Sequence, residues 1–268
     1  MKVIDFDGLF DEKIAIYMKQ NKKKRSAKNW EDAIPKLYKQ FGDTYIAKIK
    51  CTPKQYYANL SDTELVDVLS AHLKEKISIP EFMRAELEKR ALTALLLPLL
   101  RQPYGKEVLE LIDDHSNVLD SYFALLFEED VEESVKNGLL DILRENAEAV
   151  KEPALEMLAK GREKEYMLEL LARTKLGDDR VYSVLLQAFL QAEEGLLPRR
   201  ANALARYGDE RALPYLLDKI EDESLGFVEF QELKYAIEAL GGEYTEERDF
   251  SADKDYVRVM AASEKENH

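Results

Sequence analysis

Gly177-Asp178-Asp179-Arg180 and Gly208-Asp209-Glu210-Arg211 are two copies of one short motif, 31 residues apart. A leucine pair follows each copy at the same spacing, as Leu185-Leu186 and Leu216-Leu217. Glycine commonly ends a helix, and aspartate begins the next one because its side chain accepts hydrogen bonds from the first free amides. The motif therefore predicts helix, tight turn, helix, with the aspartate after each glycine as an N-cap.

Helical patterning extends from this motif through the rest of the chain. Ser61 and Glu64 form a capping box, and an apolar stripe of helical spacing follows over 65–73. Only 11 glycines and 8 prolines occur in 268 residues, too few for the many tight turns of a sheet-rich fold. We therefore predict an all-α fold, including one long helix that Pro80 opens and that runs toward Leu97.

Three short segments have a weak strand pattern: Val3–Phe6, Tyr45–Ile49 and Tyr256–Val259.

Residues Arg200 to Asp222 resemble a HEAT-like repeat of the short kind first named from phycobilisome lyases. They contain an arginine, small residues, Ala-Leu, Gly-Asp, Arg-Ala, a proline, Leu-Leu and a closing aspartate. The self-similarity is clear over about 165–242 and degenerate over 105–164. The resemblance implies an armadillo-like α-solenoid, a superhelix of antiparallel helix pairs in which the helix before each Gly-Asp turn faces the concavity.

This resemblance also implies a division of the chain. We predict a helical N-terminal cap or pre-domain over 1–104, HEAT-like repeats over 105–242, and a C-terminal cap with a polar tail over 243–268. Stacked repeats need atypical ends, because the outermost apolar face must be covered.

Charge is unevenly distributed within a chain of net charge −14. Residues 1–60 contain 13 Lys/Arg and 7 Asp/Glu, whereas the remainder has a net charge of −20. Such an acidic body repels phosphate backbones and disfavours nucleic-acid binding by the chain as a whole. A single cysteine, Cys51, and the lack of an apolar leader or membrane-length run predict a cytoplasmic protein without a membrane partner.

Residues suited to enzyme chemistry are few and scattered. His72, His115 and His268 have none of the spacings of zinc ligands, and Cys51 has no second cysteine to join it. Nucleotide-binding glycine patterns and nucleophile motifs are also missing from the sequence. We predict no catalytic residue, no metal site and no cofactor, and we place His72 at the surface or the edge of the core.

One basic cluster lies near Trp30: Lys22, Lys23, Lys24, Arg25 and Lys28. A compact cationic patch with an aromatic ring can hold phosphate and stack a base. The alternative is a solvated loop, with Trp30 in the core on the helical stripe that continues through Ile34 and Phe41. Nucleic-acid binding or DNA-repair-type activity through residues 19–28 is thus the second functional hypothesis.

A second set lies on the helices that precede the Gly-Asp turns: Arg173, Lys175, Arg199, Arg200, Arg206, Lys234 and Tyr235. Arginine forks bind carboxylates and phosphates well, so this set predicts a surface for an acidic peptide or another anionic group. Alternatively, the arginines pair with Glu169, Glu232 or Glu238 on neighbouring helices. The leading functional hypothesis is a non-enzymatic protein-interaction scaffold or regulatory module; the repeat name alone suggests a bilin lyase as a further alternative.

Overall fold

The computed structural model describes residues 3–20, 27–161, 164–193 and 195–266, without the side chains of 27–29 and 263–266. Regular secondary structure in these ranges is helical, apart from one isolated antiparallel bridge between Ile46 and Cys51. The predicted all-α fold is confirmed. None of the helices in this part of the chain has the length and apolar character needed to cross a membrane.

Two compact units make up the chain, Met1–Leu140 and Asp141–His268. They are defined by packing, whereas the boundaries predicted at 104/105 and 242/243 follow the repeat motif, and those boundaries stay predictions.

The first unit contains α1 (Phe6–Gln20), α2 (Ala27–Gly42), α3 (Pro53–Ala58), α4 (Asp62–Glu75), α5 (Glu81–Glu88), α6 (Thr93–Leu96), a 3₁₀ turn (Leu97–Arg101), α7 (Gly105–Leu109) and α8 (Leu119–Leu125). Its core includes Phe6, Tyr57, Leu65, Leu69 and Met83, all inaccessible to solvent. The predicted capping box at the start of α4 is confirmed, since Ser61 and Glu64 bond reciprocally to each other's backbone amides.

The single helix predicted from Pro80 toward Leu97 is wrong, because α5 ends well before α6 begins. Arg90 lies in this break and donates hydrogen bonds to three carbonyl oxygens at the end of α3 and just after it. The shortest reaches the oxygen of Leu60 at 2.8 Å. The last carbonyls of a helix lack intrahelical donors, and this arginine supplies them from a non-helical segment.

α9 (Glu133–Glu145) crosses from the first unit to the second. The second unit continues with a 3₁₀ turn (Ala147–Val150), α10 (Lys151–Ala159), α11 (Lys164–Leu171), α12 (Asp179–Leu190), α13 (Leu197–Tyr207), a 3₁₀ turn (Glu210–Ala212), α14 (Leu213–Ile220), α15 (Phe227–Ala239) and α16 (Lys254–Glu266). α13 packs against both α11 and α15, so the helices that precede the turns form one row. α12 packs on α11 and α13, and α14 packs on α15. This stacking of successive helices is solenoid-like.

The three predicted strands are wrong. Val3–Phe6 leads into α1, and Tyr45–Ile49 forms a turn closed by the isolated bridge. Tyr256–Val259 lies in α16, where the ring of Tyr256 packs edge-on against Phe227 with 5.1 Å between the centroids. The strand propensity of these β-branched and aromatic residues is weaker than the packing that α16 gains on α15.

The two N-caps predicted at the Gly-Asp turns are confirmed. Asp178 accepts a hydrogen bond from the amide of Arg180 at 3.0 Å, and Asp209 accepts one from the amide of Arg211 at 3.1 Å. Gly208 has a φ of +84°, in the left-handed region that residues with a Cβ rarely occupy. The second turn therefore ends α13 and begins the next helical segment within two residues. The first is longer than the tight turn predicted, because α11 ends at Leu171 and α12 begins only at Asp179.

Candidate anion-binding groove

A groove of about 740 Å³ lies between α11 and α13 in the second unit. Its floor is partly apolar, formed by Leu168, Ala172 and Ala203. Its charged lining consists of Lys164, Glu165, Glu169, Arg173, Arg199, Arg200 and Arg206. Five cations thus face two carboxylates, an excess of positive charge within a chain of net charge −14.

Arg200 is the buried arginine of this lining, with only 4% of its surface exposed. One guanidinium nitrogen donates a hydrogen bond to the carboxylate of Glu165, whose side chain is 45% exposed. A buried cation must be paired to be tolerated, and this pair also ties α13 to α11. Arg200 therefore has a structural role in the groove wall.

Glu169 is engaged mainly by Arg144 of α9, because Nε and Nη2 of Arg144 both lie 2.7 Å from its Oε1. Arg173 comes only within 4.0 Å of the same oxygen. Its Nε is buried and has no hydrogen-bond partner in the described part of the chain. Burial lowers the pKa of Arg173, and the positive charge of Arg206 lowers it further, against the opposing effect of Glu169. Arg173 is thus a donor with incomplete electrostatic compensation.

Arg199 and Arg206 project from the exposed side of α13 into the same groove. Neither forms an ion pair with any residue that the structure describes. Lys164, at the start of α11, is likewise exposed and unpaired within the described ranges. Partially exposed guanidiniums beside a half-buried one form a surface that attracts anions.

The structure brings four of the seven predicted partner-binding residues to this groove: Arg173, Arg199, Arg200 and Arg206. Lys175 lies beyond the end of α11, where its backbone amide donates to Glu148 at 2.9 Å. Lys234 and Tyr235 lie on α15 and do not line the groove. The groove therefore contains only part of the predicted partner-binding set.

Some groove residues were missed from the sequence, notably Lys164, Tyr166 and Asn202. Lys164 and Glu165 belong to the first turn of α11 and precede Arg173, the first of the predicted partner-binding residues. Glu165 and Arg200 are separated by 35 residues, which departs from the 31-residue spacing of the turns. Moving one 31-residue repeat along the chain from Glu165 therefore does not lead to Arg200.

The other predicted site, the basic cluster, lies almost entirely outside the described residues. This applies to Lys22, Lys23, Lys24 and Arg25, and to the side chain of Lys28. Trp30 is described and is only 6% exposed, with its ring edge-on to Tyr17 at 5.8 Å. The prediction that Trp30 belongs to the core is confirmed, so it provides no exposed platform for a base.

Within the described ranges, no three or more His, Cys, Asp or Glu side chains are grouped to hold a metal ion. His72 corrects an expectation, because it is completely buried and not at the surface or core edge. Its Nδ1 lies 2.9 Å from the carbonyl oxygen of Ser78 and donates to it, which ties the end of α4 to the following loop. The buried Nε2 has no partner in the part of the chain that is described.

Comparison with protein-family models, with curated proteins and with solved structures finds no match to this chain.

Proposed function

We propose that the second unit is a non-enzymatic binding module, a HEAT-like scaffold that holds an acidic peptide segment of a protein partner between α11 and α13. The supporting observation is the set of groove cations without a close counter-charge among the described residues: Lys164, Arg199 and Arg206, with Arg173 no nearer than 4.0 Å to Glu169. An acidic ligand would supply the missing acceptors, and charge-assisted hydrogen bonds of this kind are stronger than neutral ones. The cytoplasmic location expected from the sequence belongs to the same proposal.

The length of the groove suits a short extended segment. The 11 residues of α13 span roughly 16 Å at about 1.5 Å per residue. An extended chain advances about 3.3 Å per residue, so roughly five residues fit along the helix. Apolar floor residues beneath a cationic rim would favour a peptide with an apolar side chain between acidic ones.

Fluorescence anisotropy with labelled five-residue peptides tests this proposal on the full chain. We expect a Glu-rich peptide with one central leucine to bind, and a Lys-rich counterpart and a Gly/Ser-rich counterpart not to bind. The double variant Arg199→Glu/Arg206→Glu should weaken binding of the acidic peptide at least tenfold, because both residues are exposed groove cations.

Arg258→Glu is the matched control, since Arg258 is an arginine of α16 whose side chain is 79% exposed. It should leave binding unchanged, and the melting temperature of each variant should stay close to that of the wild type. Equal binding of the three peptides, or acidic-peptide binding that survives the double reversal, would contradict the proposal.

A further inference from the structure

The groove contains more positive charge than one carboxylate can neutralise. Within its lining, Arg200 is matched by Glu165, and Glu169 is already bonded to Arg144. The cations left over are Lys164, Arg173, Arg199 and Arg206, among the residues that the structure describes. A ligand that matches this set needs high charge concentrated at one point.

Arg173 and Arg206 mark that point. Both side chains line the same groove, and the positive charge of Arg206 lowers the pKa of Arg173. Arg173 also has a buried Nε–H without an acceptor, on the wall of the groove. An anion placed between them would lie against the exposed part of the Arg173 side chain, which is 25% exposed, and would offset the repulsion between the two cations. A planar guanidinium donates in a fixed fork, so an acceptor with several oxygens in a compact arrangement fits best.

A phosphate monoester meets these requirements better than a carboxylate. It has about 1.5 to 2 negative charges near neutral pH and three terminal oxygens, whereas a carboxylate has one charge and two oxygens. Recognition of phosphorylated side chains by arginine clusters is a recurring mode of peptide binding.

We propose that the groove receives a phosphorylated side chain of the partner peptide, with its phosphoryl oxygens bonded to Arg173 and Arg206. Arg199 and Lys164 then contact acidic residues on either side of it. This inference rests on the proposed function and deepens it, because phosphorylation of the partner would switch binding on.

Three labelled peptides test the inference on the full chain: Glu-Glu-phosphoserine-Glu-Glu, the same peptide with serine, and the same peptide with glutamate at the centre. We expect the phosphopeptide to bind at least tenfold more tightly than the serine peptide and several-fold more tightly than the glutamate peptide. Its affinity should fall as the pH drops below about 6, where the phosphate takes up its second proton.

Arginine variants then locate the phosphate. Arg206→Gln should weaken phosphopeptide binding about tenfold and serine-peptide binding only about twofold. Arg173→Lys keeps the charge but removes the fork, so it should produce a loss of several-fold that is again selective for the phosphopeptide. Arg258→Gln is the control and should have no effect. Should Arg173→Lys fail to fold, the selectivity of Arg206→Gln decides the matter, because that side chain is exposed.

The possible failures are distinguishable. If all three peptides bind alike and Arg206→Gln weakens them equally, the acidic-peptide function stands and the phosphoryl anchor is overturned. If none binds, both proposals are overturned. If a labelled ten-nucleotide single-stranded DNA binds more tightly than the phosphopeptide and loses affinity in Arg206→Gln, the ligand is nucleic acid and the phosphopeptide inference is wrong.

Discussion

Arginines occupy two contrasting environments in the second unit, the Gly-Asp turns and the groove. At the turns, Arg180 and Arg211 each bond to the N-cap aspartate of their own turn. Each also reaches back to an acid of the preceding helix pair, with Arg180 2.7 Å from Glu152 and Arg211 2.8 Å from Asp179. The turn arginines thus have counter-charges within the chain.

In the groove, only the buried Arg200 has a close counter-charge of its own. Arg199 and Arg206 have none among the described residues, and Arg173 reaches Glu169 only at 4.0 Å. This contrast indicates that, apart from the buried Arg200, the unit does not depend on its groove cations for stability. Charges that contribute little to folding are available for a ligand.

The largest expected effect separates the buried groove arginine from an exposed one. Arg200→Glu removes a buried cation and places a second carboxylate beside Glu165, so we expect the free energy of unfolding to fall by about 3 kcal/mol. Arg206→Glu changes an exposed side chain and should shift the free energy of unfolding by no more than about 0.5 kcal/mol. Urea unfolding followed by circular dichroism measures both, and equal losses would contradict the distinction.

A smaller effect is expected at the second turn, where Asp209 caps the following helix and also pairs with the side chain of Arg211. Asp209→Ala removes the acceptor for the amide of Arg211, and we expect a loss of about 1 to 2 kcal/mol in the free energy of unfolding. Asp218→Ala is the matched control, since Asp218 is an exposed aspartate within α14. A loss at Asp218 as large as that at Asp209 would show that general charge, and not capping, is responsible.

These turns show which features a sequence can predict. The roles of Asp178 and Asp209 were predictable because an N-cap bonds to an amide two residues away, within one local motif. Arg200 lies in the groove lining, and its pairing with Glu165 depends on a contact across 35 residues. Such contacts depend on how far one helix is shifted along its neighbour, and the sequence of a single helix does not specify that shift.

The errors in the first unit have the same origin. Arg90 interrupts a predicted helix because it caps a different helix, some 30 residues earlier in the chain. His72 was expected at the surface or the edge of the core, yet it lies on the buried face of α4 with Leu65 and Leu69, and its Nδ1 bonds to the backbone of the loop that follows. In both cases a polar side chain has a partner that local patterning does not reveal.

The turn aspartates also predict a loss of stability in acid. Hydrogen bonds from Arg180 lower the pKa of Asp178, and those from Arg211 lower the pKa of Asp209. Because these pKa values are lower in the folded state, the carboxylates stabilise it above about pH 4, the ordinary aspartate range, and this contribution is lost as the pH falls further. The melting temperature should therefore drop as the pH falls from about 4 to about 2.

The double variant Asp178→Asn/Asp209→Asn tests the origin of this drop. Asparagine still caps a helix but does not titrate in this range, so the variant should lose less melting temperature over the same pH interval. If variant and wild type fall by equal amounts, the acid sensitivity originates elsewhere among the carboxylates of the chain.

The smallest effects distinguish the two turn arginines from each other. Arg180 and Glu152, its ion-pair partner on α10, are about equally exposed, at 58% and 60%. Exposed ion pairs contribute little to stability. We expect Arg180→Gln to lower the free energy of unfolding by no more than about 0.5 kcal/mol, with less effect in 1 M salt because screening weakens the pair. Arg211 additionally stacks over the ring of Tyr182, 4.2 Å from its centroid.

A cation over an aromatic ring adds about 0.5 to 1 kcal/mol at an exposed site. Arg211→Gln should therefore destabilise the chain more than Arg180→Gln, and Tyr182→Leu should remove most of that difference. Both arginine variants should bind the acidic peptide as the wild type does, since neither residue lines the groove. Weakened peptide binding in either variant would mean that the turn arginines also take part in binding, and that the turns and the groove are not separate surfaces.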